Sequence, residues 1–373
     1  MMKEYHVAAR GTAGLLAASP PASDRRALGR RLYGDVTRRK KIMLGLLGPA
    51  LILLILADIS IGPSGLTILD VARIIAFPSS ADITRYAIVW EIRLPMALMA
   101  VVVGASLAIA GAEMQTILNN PLASPFTLGI SAAASFGAAI ALVLGVSLIP
   151  LAGGIFFVAG NAFVFAMVAA LIIFAFSMMR GVTAETMVLL GIALVFLFQA
   201  LLALLQYIAS EQALQQVVFW SLGSLSKASW PKLGLTDLVV LLTTPFFMHA
   251  SWQLTALRLG DERARALGVD VQRLRLIVLV GVSLLAATAV AFVGTIGFVG
   301  LVGPHVARML VGEEQRYFLP ASAIAGAILL AATSLVSKSI LPGVIIPVGI
   351  ITALIGVPFF LALIFSRRRQ LWS

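Results

Sequence analysis

The sequence predicts an all-α polytopic membrane protein of about ten transmembrane helices. Three observations carry that prediction. Sixty per cent of the 373 residues are hydrophobic and only 12% are charged, with a mean hydropathy of +1.04, which excludes an ordinary soluble domain. The apolar runs are continuous rather than alternating, so they suit helices and not the short strands of a membrane barrel. Two stretches, residues 114–179 and 276–304, hold no charge at all, and each is too long for a single crossing of a hydrocarbon layer.

Taken in order, residues 1–41 form a basic N-terminal tail, rich in Arg, Ala and Ser, with no long apolar segment to serve as a cleavable signal. The transmembrane domain is expected over 42–369. Its first span runs from Ile42 to about Ile61, entered from Arg38-Arg39-Lys40-Lys41. A polar loop with Pro63, Asp70, Pro78 and Asp82 leads to the second span, which opens at Arg93-Leu94-Pro95 and ends before Asn119-Asn120-Pro121. Gly104, Ala108 and Ala112 lie four apart on one face of it, the spacing that lets helix backbones approach closely in lipid. Breakers at Pro121, Pro125, Pro150, Gly153 and Gly154 place the third span near 126–147 and the fourth near 154–178, and Arg180–Glu185 connects to a fifth over 186–208. The segment 210–231, with two tryptophans among polar residues, suits a helix lying at the interface. The sixth span covers 233–249. The uncharged stretch after Arg275 divides into a seventh span, 274–293, and a short eighth, 297–311, with glycines at 294, 297, 300 and 303 where the chain turns. The ninth runs 318–336 and the tenth 347–365.

Charge placement decides the count. With ten spans and both termini cytoplasmic, all but six of the 27 basic residues fall on one side, the exceptions being Arg73, Arg85, Arg93, Lys227, Lys232 and Lys338. Nine spans would export Arg367-Arg368-Arg369, against the positive-inside tendency. The net charge of +11 therefore reports topology, and no nucleic-acid partner is expected. The chain has no cysteine, hence no thiolate site. It has no G-x-x-x-x-G-K-[ST] and no H-E-x-x-H either, so no phosphate loop or helical metal pair is expected in it.

Residues 254–275 form the most charged internal segment and the clearest candidate for a docking site. The pattern predicts two short helices, one over Arg258–Leu267 and a second from Asp270, separated by Gly268, with Ala264 and Leu267 offering an apolar face beside Arg263 and Arg265. Glu113, near the inner end of the second span, reads as the one firm intramembrane carboxylate, a candidate for function because burial of such a group is costly. Gln115, Asn119 and Asn120 add amide dipoles beside it, and Ser131 to Ser135 a small-residue wall. His305 follows Gly303-Pro304 and reads as a structural hydrogen-bonding group rather than a haem ligand.

Four segments in order carry a resemblance: GAEMQTILNNPLASPFTLGISAAASFGAA, LGDERARALGVD, VGTIGFVGLVGPHVARMLVG and IPVGIITALIGVPFF. Together they resemble the permeases of the iron-siderophore, haem and cobalamin importers, the membrane subunits of ATP-binding-cassette (ABC) transporters, over about residues 42–369. The resemblance implies a dimer with a second copy or a paralogous permease, two cytoplasmic ATPase subunits holding ATP and Mg2+, a periplasmic substrate-binding protein, and a place in the bacterial inner membrane. This chain would itself bind no cofactor or metal and would not be an enzyme. Residue by residue, Leu257, Leu259, Gly260, Arg263, Ala264, Leu267, Gly268 and Asp270 match the loop that docks into the ATPase. Asn120, Pro121 and Leu122 match the inner gate, which with Glu113, Gln115, Asn119, Ser131 and Ser135 is the expected path. Arg93 and Lys338 match basic positions on the outer face that meet acids of the binding protein. Here Met96 stands where the family often has Arg, and Ser334 and Ile345 stand where it often has acids, which leaves Arg85 as a substitute contact. The expected cargo is an iron chelate, foremost a ferric siderophore; haem, cobalamin or molybdate fit the same family. A transporter driven by an ion gradient is the alternative from another class, disfavoured because it needs ionisable sites near the midplane.

Overall fold

The computed structural model describes residues 22–371 apart from 63–64, 150–152, 180–182 and 342. Most of the expected N-terminal tail (1–21), Pro63, Pro150 and Arg180 lie outside the described residues. The chain separates into two units, residues 1–45 and 46–373. Helix α1 (Ala22–Ser60) starts twenty residues ahead of the predicted span. Then come α2 (Ile68–Ala76), α3 (Ile83–Tyr86) and α4 (Leu94–Ile117), with a π-helical stretch, Ala87–Arg93, joining the last two. Next are α5 (Ile130–Ala139), α6 (Phe157–Ser177), α7 (Ala184–Ile208), α8 (Glu211–Ser221), α9 (Trp230–His249), α10 (Ser251–Leu257) and α11 (Asp261–Ala266). The chain closes with α12 (Val271–Val293), α13 (Val299–Val311), α14 (Gln315–Ser339) and α15 (Val348–Leu371).

Seven of the described helical segments are long and apolar enough to cross a membrane, and three shorter apolar ones, Ile130–Leu144, Val299–Val311 and Val348–Ala362, fall where the third, eighth and tenth spans were expected. At 11 residues, α8 is about 16 Å long at 1.5 Å per residue, too short to cross.

Within the second unit, α4 is the axis. Its apolar segment is 78% buried, against 22% for α7, because α14, α13 and α12 pack around it. The expected small-residue face is real: a methyl group on Gly104 would collide with the Gly326 carbonyl, and Ala108 packs against both Gly303 and Gly326. Gly111 does more than the face predicted, since a methyl there would strike Gly300. Backbones in such contact gain van der Waals attraction that lipid cannot match.

One difference changes a functional expectation. The helix containing the second span begins at Ile83, so Arg93 lies inside it rather than at its mouth. Pro95 lacks an N–H and would leave a carbonyl one turn earlier unserved in an α-helix; the wider π turn accommodates that defect.

Candidate coupling site at the end of α4

The segment after α9 is built by its glycines. Gly260 has φ +100°, which ends any helix through it, so α11 starts at Asp261 and not at Arg258. Gly268, at φ +85°, closes α11, with its N–H bonded to the Arg265 carbonyl at 2.9 Å and that of Val269 to Ala264 at 3.0 Å. The second predicted short helix is the start of α12, whose cap is the Asp270 side chain accepting from the Arg273 N–H at 3.0 Å. The two short helices present are α10 and α11. Ala264 is fully buried and offers no outward face, and Leu257 is buried as well. Exposed apolar knobs come instead from Leu259 (54%) and Leu267 (52%), flanked by the exposed Arg263 and Arg265.

Two arginine bridges tie this segment to the last turn of α4. In the first, Arg275 gives a bidentate pair to Asp261, Nη1 and Nη2 each at 2.8 Å, while its Nε donates to the Ile117 carbonyl at 2.8 Å. The planar fork of arginine makes this triple contact possible; an ammonium could not reproduce it. In the second, the Glu313 carboxylate forms ion pairs with Arg308 at 2.8 Å and with Arg258 at 3.5 Å, and Arg308 Nη2 donates to Gln115 Oε1 of α4 at 2.9 Å. Both guanidinium groups lie over the Phe318 ring, 5.0 and 5.5 Å from its centroid. Burial pulls the Arg258 guanidinium below its usual value, with Glu313 and then Glu113 acting against the shift. Beside these, Gln315 Nε2 donates to Thr116 Oγ1 at 2.7 Å.

Glu113 is fully buried, and neither carboxyl oxygen has a hydrogen-bond partner among the described residues. Beyond α4, Asn119 takes φ +44°, and Asn120 Oδ1 accepts from the Leu122 N–H at 2.9 Å, so the turn through Pro121 is held by its own side chain. Asn119 and Asn120 line a cleft of about 750 Å3 with Glu185, Asp261, Arg265 and Arg275. Ser131 and Ser135 are not part of it: both are buried in α5, where Ser135 Oγ donates to the Ser131 carbonyl at 3.1 Å.

At the other end of α4 the expected outward cations are engaged inside the chain. Arg93 is 8% exposed, its Nη1 donating to the carbonyls of Ile59 at 2.7 Å and Ser60 at 3.2 Å. The Lys338 ammonium pairs with Asp58 at 2.8 Å. Asp58 is fully buried in α1, so Glu113 is not the one intramembrane carboxylate. Arg85 does stand outward, its side chain 57% exposed beside Asp82 at 3.4 Å. His305 stacks edge-on against Phe359 at 5.6 Å. No group of three or more His, Cys, Asp or Glu able to hold a metal occurs among the described residues.

Sequence reasoning passed over Arg275, Asp261, Arg308, Glu313 and Asp58. An acid opening a short helix, fourteen residues before an arginine one turn into the next, was the available signal for the first bridge. The second joins positions too far apart in sequence to show any pattern.

A family model, the FecCD transport family, matches residues 50–366. The hemin transport system permease HmuU of Yersinia pestis is 37% identical over 330 residues, covering 88% of this chain and 97% of that protein. The Fe(3+)-citrate import permease YfmE of Bacillus subtilis is 35% identical over 334 residues, 89% and 98%. The molybdate import permease MolB of Haemophilus influenzae is 36% identical over 335 residues, 88% and 96%. Among solved structures, a transporter described as of metal-chelate ABC type in an inward-facing conformation superposes with a TM-score of 0.77 at 32% identity, covering 87% of this chain and 99% of that one.

Proposed function

The chain belongs to the FecCD transport family, and from that premise we propose that this ABC importer permease carries a ferric siderophore inward across the bacterial inner membrane. It acts as one of two identical permease subunits, with two cytoplasmic ATPases on α11 and a periplasmic binding protein opposite. Both termini are cytoplasmic in this reading. The observation that carries it is the Arg275 bridge, which fastens the docking helix to the last carbonyl of α4 beside the turn at Asn119–Leu122.

A helix gripped from outside moves what it is bonded to. Leu259 and Leu267 supply the apolar contact with the ATPase, and Arg263 and Arg265 the charge that orients it. When the ATPases close on ATP, α11 carries Asp261, Arg275 follows, and the end of α4 shifts with the gate turn. The cleft beside the gate turn sets the amides of Asn119 and Asn120 next to two acids and two arginines, a polar lining that a hydrated chelate can cross. Support for an iron chelate over the other cargoes comes from the hemin and iron-citrate names of two relatives; the molybdate relative keeps an oxyanion as the second reading.

The test is uptake into proteoliposomes holding the permease with its cognate ATPase and binding protein, offered ferric hydroxamate, hemin, cobalamin or molybdate. ATP-dependent uptake of the hydroxamate is expected. Preference for another cargo would overturn the siderophore assignment, and uptake driven by an ion gradient without the ATPase would overturn the mechanism.

A further inference from the structure

We propose that Arg258 is a two-position latch: it rests on Glu313 in this conformation and passes to the buried Glu113 carboxyl when the motor subunit pulls on α11. Glu113 is then a positioning residue for the gate helix and no part of the cargo's path. The inference rests on the coupling reading above and assigns that reading its moving part.

Unserved acceptors gather at one place. Both Glu113 oxygens and the Gln315 Oε1 are buried without a partner among the described residues. Glu113 lies one turn before Thr116 on α4, and Thr116 holds the Gln315 amide at 2.7 Å, so the three oxygens share a neighbourhood. Buried polar atoms are nearly always satisfied in a stable state, and a cluster of exceptions asks for a donor that arrives in another conformation.

Arg258 is the donor beside the cluster, its guanidinium 5.0 Å over the ring of Phe318, one turn along α14 from Gln315. It feels the charge of Glu113 as well as that of Glu313. Its present bonds are long, 3.3 Å to the Glu313 carbonyl and 3.5 Å to its carboxylate, and that carboxylate is 55% exposed. Leaving does not strand Glu313, because Arg308 already holds the same oxygen at 2.8 Å. The hinge is also present: Gly260 follows two residues later at φ +100°, with open space where a side chain would be. Moving from Glu313 to Glu113 exchanges a screened, loose pair for a desolvated one on the gate helix.

The experiment measures thermal unfolding of the purified permease alone and in complex with its cognate ATPase, with and without ATP. Glu113→Leu leaves the permease alone as stable as wild type or more so, because the carboxyl has no bond there to lose. In the complex the same change removes most of the ATP-induced rise in Tm, and Arg258→Ala does the same. The double variant is no worse than either single one. Glu113→Gln, which keeps an acceptor but no charge, falls between. A drop of several degrees for Glu113→Leu in the permease alone would mark a plain structural carboxyl and overturn the latch. So would additive losses in the double variant, or an unaltered ATP-induced rise in both single ones. Failure of the parent reading looks different: wild type itself would show no ATP-dependent change in the complex.

Discussion

Replacing Arg275 by Gln severs α11 from α4 at a defined point, and its cost can be worked from the geometry. Three contacts at 2.8 Å are lost, two to Asp261 and one to the Ile117 carbonyl. A hydrogen bond to a charged group contributes about 1.5–3 kcal/mol net. The pair is partly open, with side-chain exposures of 22% and 35%, so solvent screening reduces the paired term to about 1–2 kcal/mol. As a coupling energy, about 1–2 kcal/mol is roughly a 5–30-fold effect on an equilibrium. The assay is a double-mutant cycle with Asp261→Asn, read in ATP-driven uptake by the reconstituted transporter. Non-additivity of that size is expected, with Arg275→Lys recovering little because an ammonium lacks the fork. Strict additivity of Arg275→Gln and Asp261→Asn would refute the clamp.

Gly111→Ala drives a methyl into the Gly300 backbone and should cost about 1–3 kcal/mol, seen as a lowered Tm, since neither backbone can yield. Arg93→Ala strands the buried Ile59 carbonyl and the half-buried Ser60 carbonyl and should destabilise the isolated permease by about 1–3 kcal/mol, whereas Arg85→Glu should leave unfolding unchanged and weaken binding-protein-stimulated uptake. The opposite pattern would return the docking role to Arg93. Removing Lys338 alone leaves Asp58 buried and unpaired, a loss of about 3–5 kcal/mol that a paired Asp58→Leu, Lys338→Met change should largely restore in the same unfolding assay.

The spans were legible because hydrophobic runs and the basic residues that punctuate them are local signals. Eight of the ten apolar segments fall within a few residues of their predicted limits; the exceptions are α1, which extends back to Ala22, and the second span, whose helix begins at Ile83 rather than at Arg93. Roles at the helix ends were harder to read. Arg93 stands beside a proline and looks like a span's first residue, but the π turn prolongs the helix behind it and draws the guanidinium inward. Asp58 is one acid in an apolar run, and its contact with Lys338, 280 positions away, explains its tolerance there. Ala264 reads as an exposed apolar contact until Gly260 resets the helix start and turns that face into the bundle. The bridges to Ile117 and Gln115 span 158 and 193 positions, and no period or spacing announces them.

The seam where Gly104 meets Gly326 and Gly111 meets Gly300 holds no side chain larger than the Ala108 methyl, and so no rotamers to trade under load. Where α4, α13 and α14 touch backbone to backbone, none can slide past another without moving main-chain atoms. Side-chain rearrangement is therefore available only at the margins of that seam, where larger residues meet, and its centre holds its register.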